Sequence, residues 1–361
     1  MGRFLSILII ATLVGSSLPG AALAGNADRA GQAGATELLI NPWARSSGWG
    51  NANSSSIRGL EAQFMNIAGM AFVQKTEVLF SNTQWLVGSG IMVNSAGIAQ
   101  KLGEAGVLGI GVMAMSFGEI EKTSSELPSG GFGTFSPSLL NIGVSYAKSF
   151  SNSIHAGATV RIISESIDNL SATGIAFDVG IQYVTTLGDR KKAKNKNNVS
   201  IGMSLKNVGP PLKMGGDALS VRGDIPTTGN SLTLEYRAAK YELPSLLNIG
   251  LAYHWRNKTL NHEITLAGTF TSNSFSKDEI AFGAEYKFKK LFALRGGYVI
   301  RNVGGASDIA LSALTGPTAG ASMDFGLSKK EGATTRLGVD YSYRHTNPFS
   351  GIHSIGIRFQ L

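Results

Sequence analysis

From about residue 77 to residue 361 the chain alternates bulky apolar residues with small or polar ones. Leu140, Ile142, Val144 and Tyr146 are separated by Asn141, Gly143 and Ser145. Phe177, Val179, Ile181 and Tyr183 repeat the pattern, as do Ile280, Phe282, Ala284, Tyr286 and Phe288, and Ile355, Ile357, Phe359 and Leu361. Successive side chains of a strand point to opposite faces, so each run predicts a ribbon with one greasy side. The rhythm predicts strands near 77–83, 86–94, 106–120, 139–150, 153–166, 172–186, 198–208, 230–238, 245–257, 261–272, 278–289, 291–302, 319–328, 334–346 and 351–361. Residues 95–105 read as a short helix or loop. Bacterial single-chain barrels have even strand numbers, which makes 14 the expected count.

The first 24 residues read as a secretory signal peptide. Arg3 is the charged start, Phe4 to Val14 an apolar core, and Ala22-Leu23-Ala24 a small-x-small cleavage site. No later stretch reaches the ~18 uninterrupted apolar residues of a spanning helix. A leader, many amphipathic strands and no apolar helix predict an all-β protein: a transmembrane antiparallel β-barrel of the outer membrane. Its expected parts are the leader 1–24, an N-terminal plug segment 25–76 and the barrel 77–361. The plug reading rests on Ile57, Leu60, Phe64, Ile67 and Ala68, which recur near helical spacing, not strand spacing.

Long connections are expected near 121–138, 187–197, 209–229 and 302–318. The heptapeptide Pro-Ser-Leu-Leu-Asn-Ile-Gly occurs at 137–143 and again at 244–250. Two origins fit it: a half-barrel duplication, or two strands meeting the same constraint. Inward Arg161, Glu165, Asp178, Glu285, Arg295 and Asp340 are expected to pair in the lumen, because lipid does not tolerate charge at mid-depth. Tyr146, Tyr183, Tyr253, Trp255, Tyr286, Tyr298 and Tyr343 fall near strand ends, where interfacial belts form. Trp43 and Trp49 precede the barrel and are expected against the plug.

Composition narrows the chemistry. There is no cysteine, so disulfides, thiolate metal sites and thiol nucleophiles are excluded. Net charge is +8. Its one cluster, Arg190 to Lys196, lies between strand patterns and reads as a solvated loop, with a contact to acidic lipid headgroups or to an acidic partner as the sharper alternative. No aromatic residues interleave with the basic ones, so nucleic acid is not an expected partner. His262-Glu263 lacks a second histidine at zinc-motif spacing. No catalytic, metal or cofactor constellation is predicted, and the chain is expected not to be an enzyme.

Residues 38–52, Leu-Leu-Ile-Asn-Pro-Trp-Ala-Arg-Ser-Ser-Gly-Trp-Gly-Asn-Ala, resemble the opening of PorV/PorQ-family outer-membrane proteins. That family carries Pro-Asp-Ala-Arg followed by Gly-Met-Gly. Pro42, Ala44, Arg45, Gly48 and Gly50 fit, whereas Trp43 and Trp49 depart from it. An Asn-Pro-Ala element shared with FadL-type transporters is matched by Asn66 and Ala68, with Ile67 in place of proline. The resemblance implies a FadL-like barrel, on the PorV-like side, serving the type IX secretion system. Its implied partners are a large outer-membrane translocon barrel, secreted cargo with a C-terminal signal domain, the surface attachment complex and outer-membrane lipid. Arg45 would latch the plug inside the lumen. The alternative is a FadL-like transporter of hydrophobic small molecules, with an apolar pocket near the N-terminal segment and a lateral opening at a strand kink.

Overall fold

Fourteen strands close into one antiparallel barrel in the computed structural model. It describes residues 29, 31–188, 196–224, 231–257, 259–289, 291–301, 314–327 and 335–361. The leader and most of the 190–196 cluster lie outside the described residues. The barrel strands are β1 (Thr76–Trp85), β2 (Ile91–Lys101), β3 (Val107–Ser116), β4 (Ser138–Ser149), β5 (Ile154–Ile167), β6 (Leu170–Thr185) and β7 (Val199–Val208). They continue as β8 (Leu246–Asn257), β9 (His262–Asn273), β10 (Glu279–Phe288), β11 (Phe292–Arg301), β12 (Gly316–Gly326), β13 (Arg336–Arg344) and β14 (Ile352–Gln360). Each pairs with its chain neighbours, and β14 closes onto β1 with Phe80 opposite Ile357.

The outward positions form an apolar band. Ile110, Val144, Ile162, Ile181, Leu251, Leu294 and Ile355 are all exposed. Such a band around a closed sheet is stable only against hydrocarbon. The chain is therefore an integral, multi-pass β-barrel of the outer-membrane type. Tyr146, Tyr183, Tyr253, Trp255 and Tyr286 ring one rim, and Tyr298 and Tyr341 point outward toward the other. The connections 117–137, 209–245 and 302–315 share a single rim. Long loops mark the extracellular side of such barrels, so the start of β1 and the end of β14 are periplasmic.

Three sequence expectations need correction. Of residues 95–105, expected as a short helix or loop, only 102–105 form a turn; 95–101 are the second part of the strand Ile91–Lys101. Its inward residues Ser95, Gly97 and Ala99 are small because the plug presses on them, which hides the alternation. A Cβ on Gly97 would lie 2.9 Å from Leu60 Cδ2. The strand near 230–238 is not in the wall. Ser231–Glu235 pairs with Ser220–Asp224 as a separate, largely exposed hairpin inside the 209–245 connection. The 186–198 connection joins strand ends at the periplasmic rim, apart from the other long loops.

The segment before β1 runs through the lumen from the extracellular rim to the periplasmic rim. Ala33 bridges Glu242 of the extracellular connection, and Val73 leads into β1. Between them lie short turns, Thr36–Leu39, Ala44–Ser47, Leu60–Phe64 and Ile67–Phe72, mostly of 3-10 type. The helical spacing of 57–72 is interrupted at Asn66, whose backbone is extended and whose side chain accepts from the Ala68 N–H.

A belt of inward glycines makes room for this plug. Gly97, Gly111 and Gly143 stand side by side on β2, β3 and β4. Gly157 faces Gly180, Gly202 faces Gly250, and Gly283 faces Gly297. A Cβ at Gly202 would come within 2.7 Å of the Ser55 Cα, and one at Gly283 within 2.7 Å of Trp49 Cε3. The repeated heptapeptide is explained in the same terms. Asn141 and Asn248 point inward and are buried, and Gly143 and Gly250 both belong to the belt. The two copies open β4 and β8, four strands apart, which is not the offset of a half-barrel duplication.

Candidate functional site

The plug divides the lumen into an apolar and a polar side. Ile57, Leu60, Phe64, Met65, Met70 and Val73 pack against Leu79, Val93, Val107, Met113 and Met115 of the first three strands. Trp85, Ile91, Phe117 and Leu139, half-buried, extend this seam to the extracellular rim. Methionine is flexible and polarizable, so four of them along one seam give a deformable apolar track. Around the rest of the wall, from β5 to β14, the lumen is charged. Arg161 Nε donates to Asp178 at 2.7 Å and Arg295 Nε to Glu285 at 2.9 Å. Asp340 accepts from the Ser322 hydroxyl and lies 3.9 Å from Arg358. The inward charges anticipated from the sequence do pair, with Glu165 accepting from the Tyr241 hydroxyl of the loop.

At the extracellular end, Leu38 of the plug inserts between wall and roof. Ile163, Ala172 and Ala176 supply the wall, and Leu212 and Leu243 of the 209–245 connection supply the roof. This packed cluster lies beside the register break in the barrel pairings, between Phe177 and Val179 of β6 opposite β7. Asn207, at φ 60°, occupies the break. Its N–H donates to Asp178 at 2.7 Å, and its amide donates to the Leu38 carbonyl at 3.4 Å and the Pro244 carbonyl at 3.1 Å. One residue thus ties strand, plug and roof together. Glu37, next to Leu38, is buried with one carboxylate oxygen lacking a protein partner. Burial, with the charge of Glu165 adding, pushes its carboxyl up to about 7. Burial and the bond to Glu165 likewise hold the Tyr241 phenol above its usual range.

At the periplasmic end a polar vestibule of about 540 Å³ opens between plug and wall. Arg45, Trp49, Arg58 and Phe72 line it from the plug, and His155, His254, Arg256, Glu263 and Lys287 from the strands. A second chamber of about 480 Å³ shares Arg45, Arg58 and Phe72, and adds Thr76, Arg336 and Gln360. Arg58 lies 4.3 Å over the Phe72 ring, and His155 packs on that ring at 4.2 Å. This stack separates the two chambers. Sequence reasoning missed Arg58 and the stack. The available signal was a lone arginine between Ile57 and Leu60.

The motif residues all lie in the plug, and each has a packing task. Pro42 follows Asn41, whose side chain accepts from the Trp43 N–H at 3.2 Å. Ala44 is buried, and a Cβ added at Gly356 would come within 3.3 Å of its own Cβ. Arg45 pairs with Glu61 of the plug at 3.4 Å. A Cβ at Gly48 would lie 3.1 Å from the Gly320 Cα, and Gly50 has φ 61°. Asn66 donates to the Ile181 carbonyl at 3.2 Å, and Ala68 is fully buried. Among the described residues no group of three or more His, Asp or Glu is placed to hold a metal.

No protein-family model matches the chain, and no curated protein matches it. Among solved structures it is similar to the toluene transporter TodX of Pseudomonas putida, with TM-score 0.53 and 14% identity, over 89% of this chain and 97% of that one. A FadL homologue of Pseudomonas aeruginosa gives TM-score 0.49 at 12% identity, over 88% and 98%. The fold is thus FadL-like: a 14-strand closed barrel preceded by a short-turned segment. The expectation of a PorV/PorQ-family component of the type IX secretion system is overturned. The structural likeness is to transport barrels, and no family model supports the narrower assignment. The physical reason is that Pro42, Ala44, Arg45, Gly48, Gly50, Asn66 and Ala68 serve plug packing and capping. Such a motif reports how a plug fits a barrel, not what the barrel delivers.

Proposed function

We propose that this protein is a conduit that admits small hydrophobic molecules across the outer membrane. The observation that carries the reading is the apolar cluster beneath the extracellular roof, where Leu38 packs between wall and roof beside the register break. Moving Leu38 aside would open an aliphatic-lined space there, of the kind that suits a small apolar guest. Next to it, the methionine seam offers a deformable path toward the periplasm. TodX, named as a toluene transporter, has the same fold, which supports the reading by analogy.

The test is entry of toluene into cells that carry or lack the protein. Ala172→Phe fills that space and should slow entry, whereas Leu38→Ala opens it and should hasten entry. Equal rates in cells with and without the protein would refute the conduit.

A further inference from the structure

The periplasmic vestibule contains cations and carboxylates in unequal states of satisfaction. Arg45 pairs with Glu61 at 3.4 Å, Arg256 with Glu263 at 3.1 Å, and Lys287 with Glu285 at 2.8 Å. These three pairs account for the carboxylates that line the main chamber. Lys196 is exposed at the rim. Arg58 has no carboxylate partner and donates no hydrogen bond among the described residues. It lies over the Phe72 ring and feels the charge of Glu263, which is itself paired with Arg256.

A second group in the same cavity is also unsatisfied. His155 is buried, its Nδ1 is engaged by the Ser149 hydroxyl at 2.8 Å, and its Nε2 has no protein partner. Arg58 and His155 stack on the same ring, so two orphaned nitrogen groups are held at one aromatic platform. Burial, with Arg256 and Arg45 nearby, presses the Arg58 guanidinium below its usual range. An anion placed there would relieve that strain, and stacking leaves the N–H edge of a guanidinium available for a forked bond to two oxygens.

We propose that the periplasmic vestibule binds the oxyanion of a small molecule, a carboxylate or a phosphate, with Arg58 as the principal donor and His155 as the second. The chamber is large enough for a small organic acid or a phosphate and is reached from the periplasmic rim. This site is separate from the apolar cluster under the roof and stands or falls independently of the conduit reading.

The test uses the full chain purified in non-ionic detergent and titrated calorimetrically with inorganic phosphate and, separately, sodium hexanoate. Saturable binding of at least one probe is expected. Arg58→Gln should weaken it about tenfold or more, as loss of a charge-assisted bond does, and Arg58→Lys should retain part of it. Binding of hexanoate alone assigns the site to organic acids, and binding of phosphate alone to phosphate-bearing molecules. Binding of both assigns it to the oxyanion itself. Absence of binding of either probe to the unmodified chain at about 10 mM would overturn the proposal. So would equal affinity in Arg58→Gln. If that variant does not assemble, His155→Ala provides the second reading, with weakened binding again expected and unchanged affinity counting against the site. Toluene entry unchanged by Arg58→Gln, beside lost anion binding, separates this site from the conduit.

Discussion

Arg161 is the strongest single tie between plug and wall, and its removal tests how the plug is held. The guanidinium is fully buried on β5. It donates to Asp178 at 2.7 Å, to Asn141 at 3.4 Å and to the Gln63 carbonyl, and it lies 4.5 Å over the Phe64 ring. Arg161→Met keeps much of the volume but strands Asp178, whose remaining bond is to the Asn207 N–H. Breaking a buried pair from one side costs about 3–5 kcal/mol, because the other charge stays desolvated. Loss of the ring contact adds roughly 0.5–2 kcal/mol. The double variant Arg161→Met, Asp178→Asn removes both charges and should recover most of the first term. The assay is urea unfolding in lipid vesicles, with far-UV dichroism reporting the wall. With the wall tryptophans removed as Trp85→Phe and Trp255→Phe, tryptophan fluorescence reports the plug, where Trp43 and Trp49 are both buried. The plug signal of Arg161→Met should melt first, and the double variant should bring the two signals together. If Arg161→Met lies within about 1 kcal/mol of the unmodified chain, or the double variant is no better, the pair does not anchor the plug.

Other outcomes follow from the same structure. The Glu37 carboxyl is raised from 4.5 to about 7, so the protonated form is the one that fits its site. Docking of residues 36–39 should be firmest below pH 4.5 and weaken as pH rises through 7, read by amide hydrogen exchange, and Glu37→Gln should flatten the profile. Gly202→Val should drive Ser55 off the wall, at a cost of about 1–3 kcal/mol or more, and raise ion conductance in planar bilayers. Conductance equal to that of the unmodified chain would show that the glycine belt does not set the plug's position.

How much of this was readable beforehand depended on which face carried the signal. The outward residues of β4, β6, β10 and β14 are bulky and regular, so those strands are plain in the sequence. β2 was not, because its inward Ser95, Gly97 and Ala99 answer to the plug. Alternation also cannot say which sheet a strand joins: Ser231–Glu235 has the right rhythm yet pairs only within its loop. Glycine abundance held more than it yielded, since the pairing of Gly202 with Gly250 becomes visible only when register is known. The plug motif was legible as a motif and misleading as an identity. Arg58 offered only the signal of a lone arginine in an apolar run, and what marks it, the lack of a carboxylate partner, is not shown by a sequence.

The plug is held unevenly, and that bears on how a guest could pass. An irregular backbone inside a barrel must have its carbonyls satisfied by the wall. From residue 48 to residue 65 this is done repeatedly. Thr318 donates to the Gly48 carbonyl at 3.1 Å, Thr269 to Ala52 at 2.9 Å, and Gln182 to Ile57 at 3.1 Å. Lys206 donates to Phe64 at 2.6 Å and Ser204 to Met65 at 2.9 Å. Sliding this body would break every one of these bonds at once and force it against the glycine belt. The head is different. Leu38 has a single long bond from Asn207, while Gly34 and Arg29 are tied to Glu242 of the roof. A shift of residues 33–40 together with the roof would leave the body in place and would break the Asn207 bonds to Leu38 and Pro244, the Tyr241–Glu165 bond and the Ser171–Gly215 pair. If the proposed conduit reading holds, cross-linking residue 38 to the roof should slow toluene entry while leaving the plug body in place, and unchanged entry would count against movement of the head.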